Sequence, residues 1–152
     1  MTMITVDCDN PGYIQADRSI RPEHQIPGVV RGMVTCDPAK MSLYLDEAQK
    51  TGRMVGTELA KRLAGKSLLS VLMLNHLQDN PQLIPKSWKK DERGNIRYIF
   101  FWGTIFCTDE GVLYVQCLYW LNRRWRRNYF NLVEEFSDRC PTALLEDEDL
   151  KT

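Results

Sequence analysis

Between Leu118 and Phe130 the chain reads LYWLNRRWRRNYF. Arg123, Arg124, Arg126 and Arg127 wrap around Trp125, with Trp120 and Tyr129 close by. Guanidinium groups pair with phosphates and aromatic rings stack on bases, so this grouping is one that a single-stranded nucleic-acid binder could use. A plainer reading is structural. Arginines on a sheet edge block pairing with another sheet, and their alkyl stems cover aromatic rings. Guanidinium groups over Trp120 or Trp125 would add cation–π contacts that serve stability alone. A third reading gives the cluster an acidic protein partner. With 20 basic and 20 acidic residues the formal net charge is zero, so nothing draws the molecule as a whole to a polyanion. That balance, and the acidic ending EDEDLKT, count against DNA or RNA. The ending itself reads as a solvated tail, or as one that folds back on the arginines and is weakened by salt.

Other chemistries find less support. Cys8, Cys36, Cys107, Cys117 and Cys140 are odd in number and have no C-x-x-C spacing, which disfavours a zinc or redox site. Cys8 or Cys36 with His24 is the candidate nucleophilic pair. No third group is placed to orient the base and no glycine elbow presents the thiol, so a cysteine-dependent enzyme is the weakest reading. Cys107 and Cys117 fall in strands and read as small core residues. His76 lies among leucines, as a core histidine does. Two histidines and scattered thiols make no ligand set, and no phosphate-binding glycine motif is present, so the sequence calls for neither metal nor cofactor. Gly52 and Gly56 precede a helix start that could face an anion, though a plain loop and cap explains them as well. A helix-turn-helix over 57–79 is rejected, because its second helix is too apolar to lie in a groove.

The positioning elements follow from pattern. Residues 7–28 are rich in Asp, Asn, Pro and Gly and read as an irregular arm. Runs 29–35 and 41–45 bracket Asp37-Pro38-Ala39-Lys40, whose turn chemistry predicts a β-hairpin. Thr57 is placed to cap a helix ended by Gly65, and Ser67 to cap a second that stops at Asn80-Pro81. Leu68, Leu69, Val71, Leu72, Leu74 and Leu77 cover more than one face of that second helix and imply deep burial. After the proline-bounded connector PQLIPKSWKK come three strands, near 97–107, 112–120 and 125–132. Asp109-Glu110-Gly111 makes the first turn, and Leu121-Asn122-Arg123 the second, with Asn122 best able to take a positive φ. FSDRCPTALL is expected to form a last short helix.

Charge is unevenly spread. Residues 86–127 hold 9 Lys and Arg against 4 Asp and Glu, whereas residues 128–152 hold 2 against 7. Aromatics are uneven too: of 15 Phe, Trp and Tyr, 11 lie between Tyr98 and Phe130. On the middle strand Val112, Tyr114, Leu118 and Trp120 point one way, and Leu113, Val115, Cys117 and Tyr119 the other. Neither face is polar, so something must cover both. The helical pair is expected over one. The N-terminal hairpin and arm, or a second copy of the chain, is expected over the other.

The motifs LIPKSWK, FFWGTIF, LYVQCLYW and NYFNL resemble those of a group of small bacterial proteins that share I-P-x-x-W-K, F-F-W-G-T-I and L-Y-V-x-x-L-Y-W. The likeness spans residues 41–145 and implies a common fold without an activity. The chain departs from the group at its third strand, where RRWRRNYFNL is richer in arginine.

These observations predict one α+β domain over 1–152, with 1–28 as the arm and 146–152 as the acidic tail. Within it the expected elements are an N-terminal β-hairpin, a helical pair and a C-terminal three-stranded antiparallel meander. The expected function is a non-catalytic protein-interaction module or inhibitor acting through Trp102, Trp120, Arg123, Arg124, Trp125, Arg126, Arg127 and Tyr129. Its partner would be a protein or a second copy, with single-stranded nucleic acid as the alternative. The longest apolar helical stretch, LLSVLMLNHL, is about half of what a bilayer needs, and the N-terminus lacks the pattern of a secretory leader. No membrane association is expected. Reduced thiols in a cytoplasmic compartment are the natural reading.

Overall fold

A computed structural model describes residues 3–7, 20–24, 33–108 and 110–145. The strands are β1 (Ile4–Asp7), β2 (Ile20–His24), β3 (Met33–Cys36), β4 (Met41–Tyr44), β5 (Met54–Val55), β6 (Ile99–Thr108), β7 (Leu113–Leu121), β8 (Arg124–Asn131), β9 (Glu135–Phe136) and β10 (Thr142–Leu145). The helices are α1 (Glu47–Thr51), α2 (Gly56–Leu63) and α3 (Val71–Asp79). The main sheet runs in the order β4-β10-β6-β7-β8, with β2 added along the C-terminal half of β6. β6, β7 and β8 are neighbours and antiparallel, but β10 lies parallel to β6 on its other side. The sheet is therefore mixed, and the simple C-terminal antiparallel meander is corrected. The expected last helix is the strand β10, which sits inside the sheet. Thr142, Ala143 and Leu145 are buried, and a short run buried on both sides shows no period that separates strand from helix.

The N-terminal hairpin is also corrected. Its turn forms as expected: Asp37 accepts from Ala39 N–H at 3.0 Å and Pro38–Lys40 is a 3₁₀ turn. The strands it joins part company, however. β3 pairs with β1, and β4 pairs with β10. Turn residues specify a local bend; they do not specify which strand the chain meets afterwards. Within the expected arm, β1 and β2 are strands, and residues 8–19 and 25–32 lie outside the described set, as does the acidic tail.

Both faces of the sheet are covered, as its composition requires, and the chain supplies both covers. On one face α3, the connector after it and the two-stranded pair of β1 and β3 pack against Ile99, Phe101, Leu118 and Trp125. On the other, α1, α2 and the β5–β9 pair pack against Phe100, Trp102, Val115 and Cys117. The two helices thus lie on opposite faces instead of forming a pair over one. The link between them threads the sheet. Leu68 bridges Leu144, Leu69 N–H donates to Ala143 C=O, Leu145 N–H donates to Ser67 C=O, and Gly103 N–H donates to Leu69 C=O. Room for this segment comes from β6, which bulges between Phe100 and Ile105. Its Thr104 hydroxyl accepts from Val71 N–H at 3.1 Å, and Ser70, not Ser67, caps α3. The bulge reverses the facing of alternate residues, so Phe101 and Phe106 lie on one side and Trp102 and Ile105 on the other.

The segment from α1 to α2 is fastened by Asp46 and Gln49. Asp46 and Gln49 form a capping box over α1. The fully buried Gln49 amide donates to Ser137 C=O at 3.1 Å and Cys140 C=O at 2.9 Å. At the start of α2, Gly56 and Thr57 N–H groups donate to Glu134 and Leu132 carbonyls. A Cβ on Gly56 would lie 2.7 Å from the Leu132 oxygen. That helix start is filled by backbone, leaving no room for an anion.

Candidate functional site: a cationic cleft at the β7–β8 turn

β7 and β8 join through a two-residue turn in which Asn122 (φ 54°) and Arg123 (φ 62°) are both left-handed, the geometry of a type I′ hairpin. The turn sets Trp120 directly opposite Trp125, with ring centroids 5.4 Å apart at 61°. Facing them is the connector that follows α3. Asn80-Pro81 ends the helix, and 3₁₀ turns at Pro81–Leu83 and Lys86–Trp88 fold the chain back. Buried Trp88, edge-on to Phe101 at 6.4 Å, pins this wall to the core.

Wall and hairpin enclose a cleft of about 450 Å³, within the size range of ligand sites. Pro81, Ile84, Trp120 and Trp125 give it an apolar floor. Lys86 and Lys89 from the wall, and Arg123 and Arg124 from the hairpin, give it a cationic rim, and among the described residues its lining holds no Asp or Glu. Lys89 Nζ lies 3.9 Å from the centroid of the Trp120 ring. The arrangement suits a ligand with an apolar body and carboxylate or phosphate groups around it.

Of the eight residues expected from sequence, Trp120, Arg123, Arg124 and Trp125 meet in this cleft. The others do not line it. Trp102 is fully buried on the opposite face against Phe136, and its indole Nε1 has no hydrogen-bond partner among the described residues. Arg126 turns back to donate Nε to Leu121 C=O at 3.1 Å. Tyr129 packs edge-on to Phe106 at 5.8 Å. Arg127 is drawn under α3, where it donates to Asn75 Oδ1 (2.7 Å), Gln78 Oε1 (3.1 Å) and Gln116 Oε1 (2.6 Å). Burial pulls its basicity below that of a free guanidinium. Sequence reasoning missed the wall. Lys86 and Lys89 belong to the basic excess over 86–127, but only the fold brings that connector against the hairpin tip.

The outer edge of β8 is closed by side chains as well as charges. Because Leu121 and Arg124 close the turn, the odd-numbered residues of β8 direct their N–H and C=O groups away from β7. Trp125 C=O accepts from Gln78 Nε2 at 3.5 Å, Tyr129 N–H donates to Asn128 Oδ1, and Asn131 N–H donates to Glu134 Oε2. These contacts occupy groups that a further strand would need.

The thiols whose side chains are described are placed for packing. Cys36, Cys117 and Cys140 are buried. Burial pushes the Cys117 thiol up to about 12 and raises that of Cys140. A catalytic thiol needs the opposite shift. Cys8 lies outside the described residues. Among the described residues no cluster of His, Cys, Asp and Glu could hold a metal ion, and no helix is long and apolar enough to cross a membrane.

Comparison with known proteins gives no match: no family model, no curated protein and no solved structure is similar to the chain.

Proposed function

We propose that the protein is a non-catalytic interaction module that takes an acidic segment of a partner protein into the cleft at the β7–β8 turn. The observation that carries this reading is the lining itself. Four cations surround two tryptophans with no carboxylate among the described lining residues, in a molecule of zero net charge. Charges on such a rim set the encounter rate and the choice of partner, while a side chain anchored on the apolar floor supplies affinity. An acidic segment with one hydrophobic anchor fits both parts.

Stacked nucleic-acid bases fit less well. One face of Trp120 carries Lys89, and Trp125 is buried beside it, so no two open ring faces are presented for successive bases. A second copy of the chain over the sheet is no longer needed, since the chain's own helices lie there. The buried thiols of Cys117 and Cys140 support a cytoplasmic setting for this function. The resemblance to the small bacterial proteins fits a shared core. Its I-P-x-x-W-K motif is the cleft wall, and its other motifs are the bulged strand and its neighbour.

The test compares a fluorescein-labelled Glu-Glu-Phe-Glu-Glu peptide with a single-stranded oligonucleotide, using wild type and Lys89→Glu/Arg124→Glu. We expect the peptide to bind wild type and to lose at least about tenfold in affinity with the variant. Tighter binding of the oligonucleotide would favour the nucleic-acid reading, and no binding of either would remove the cleft as a site.

A further inference from the structure

Arg127 is the member of the arginine cluster that the fold draws partly under α3, and its surroundings are unusual. Its three hydrogen-bond acceptors, Asn75, Gln78 and Gln116, are all neutral amides. Each is one atom away from a carboxylate of the same shape. Among the described residues no carboxylate forms an ion pair with it. Asp79, at the end of α3, adds only a longer-range attraction. The side chain is half-buried, and even partial withdrawal from water makes an unpaired charge more costly than it is at the surface. Here it is hydrogen-bonded and keeps its charge.

Gln78 links that charge to the cleft. It is part of the cleft lining, its Oε1 is held by Arg127, and its Nε2 is turned towards the carbonyl of Trp125. The amide is thereby oriented, its acceptor on Arg127 and one N–H on the Trp125 carbonyl, so that its second N–H is the group it can offer the cleft.

We propose that Arg127 is a half-buried fifth cation set behind the cleft, held without a paired carboxylate by its amide cage, which fixes Gln78 as a donor and leaves the countercharge to be supplied by an acidic ligand. This rests on the reading of the cleft as an acidic-segment site. Arg127 is a positioning residue here; the ligand meets Gln78 and the rim.

The test replaces Gln78 by glutamate, which sets a carboxylate within ion-pairing distance of Arg127. Gln82→Glu serves as a control, since Gln82 also lines the cleft and has no bond to Arg127. Arg124→Glu reports on the cleft itself. The full chain is titrated with the labelled Glu-Glu-Phe-Glu-Glu peptide, and thermal unfolding is followed in parallel. Gln78→Glu is expected to raise Tm by about 2–4 °C and to weaken peptide binding by at least about tenfold. Gln82→Glu is expected to leave Tm unchanged and to weaken binding less than about threefold. Equal losses for the two glutamates, or unchanged binding in Gln78→Glu while Arg124→Glu loses it, would overturn the role of Arg127 and leave the cleft standing. No binding by wild type, or no loss in Arg124→Glu, would overturn the cleft and this role with it.

Discussion

At Gln49 a single side chain ties three pieces of backbone together. Its amide is fully buried, accepts from Asp46 N–H at 3.1 Å and donates to the carbonyls of Ser137 and Cys140. Truncation would strand those groups away from water, at about 1–3 kcal/mol for each buried polar group left unpaired. Gln49→Ala is therefore predicted to lose about 2–4 kcal/mol of stability in urea unfolding. A loss below about 0.5 kcal/mol would show that water replaces the amide freely. Cys117 makes a prediction in pH. Its folded thiol titrates near 12 against an ordinary value of 9.0, so between those values the native state holds a proton that the unfolded state has released. Stability from this group is complete below about pH 9 and is lost as the pH rises towards 12. Cys117→Ala should flatten the alkaline fall in stability, whatever its offset at neutral pH. Native Cys117 should also resist iodoacetamide at pH 8. Neither residue announces its role in the sequence: Gln49 sits in an ordinary helical stretch, and its two carbonyl partners lie about ninety positions further on.

Short elements with strong local chemistry could be read from sequence, and those defined by distant pairing could not. The β7–β8 hairpin was within reach because Asn122 tolerates a left-handed backbone and the flanking runs are rich in aromatic and β-branched residues. The alternation on β7 likewise assigns its side chains to the two faces found in the fold. β10 and the split of α2 from α3 were out of reach. Both depend on the 67–69 segment entering the sheet beside the bulge of β6, and no local propensity encodes that meeting. The hairpin also carries a testable conflict between stability and site chemistry. Arg123 holds φ 62°, a conformation that costs an ordinary residue roughly 1 kcal/mol and glycine little. Arg123→Gly is predicted to raise stability by about 0.5–1 kcal/mol and to weaken binding of the acidic peptide. A variant that gained stability without losing affinity would remove Arg123 from the rim of the site.

For the molecule as a whole, the sequence shows a sheet too apolar to face water, and the fold meets that demand internally. Helices from one chain lie on each side, so the aromatic sheet does not need a second subunit. Analytical ultracentrifugation is predicted to give a monomer of about 17.7 kDa, and a dimer persisting at micromolar concentration would contradict it. What the folded molecule offers a partner is then local: a cationic, aromatic cleft on an electrically neutral protein. The most direct measurement is a titration of the acidic peptide into the full chain, followed by tryptophan fluorescence at low salt and again at about 0.5 M salt, where exposed charges are screened within a few ångströms. The account predicts a saturable change that reports Trp120 and Trp125, with affinity falling steeply as salt rises. An unchanged spectrum at low salt, or an affinity indifferent to salt, would contradict it.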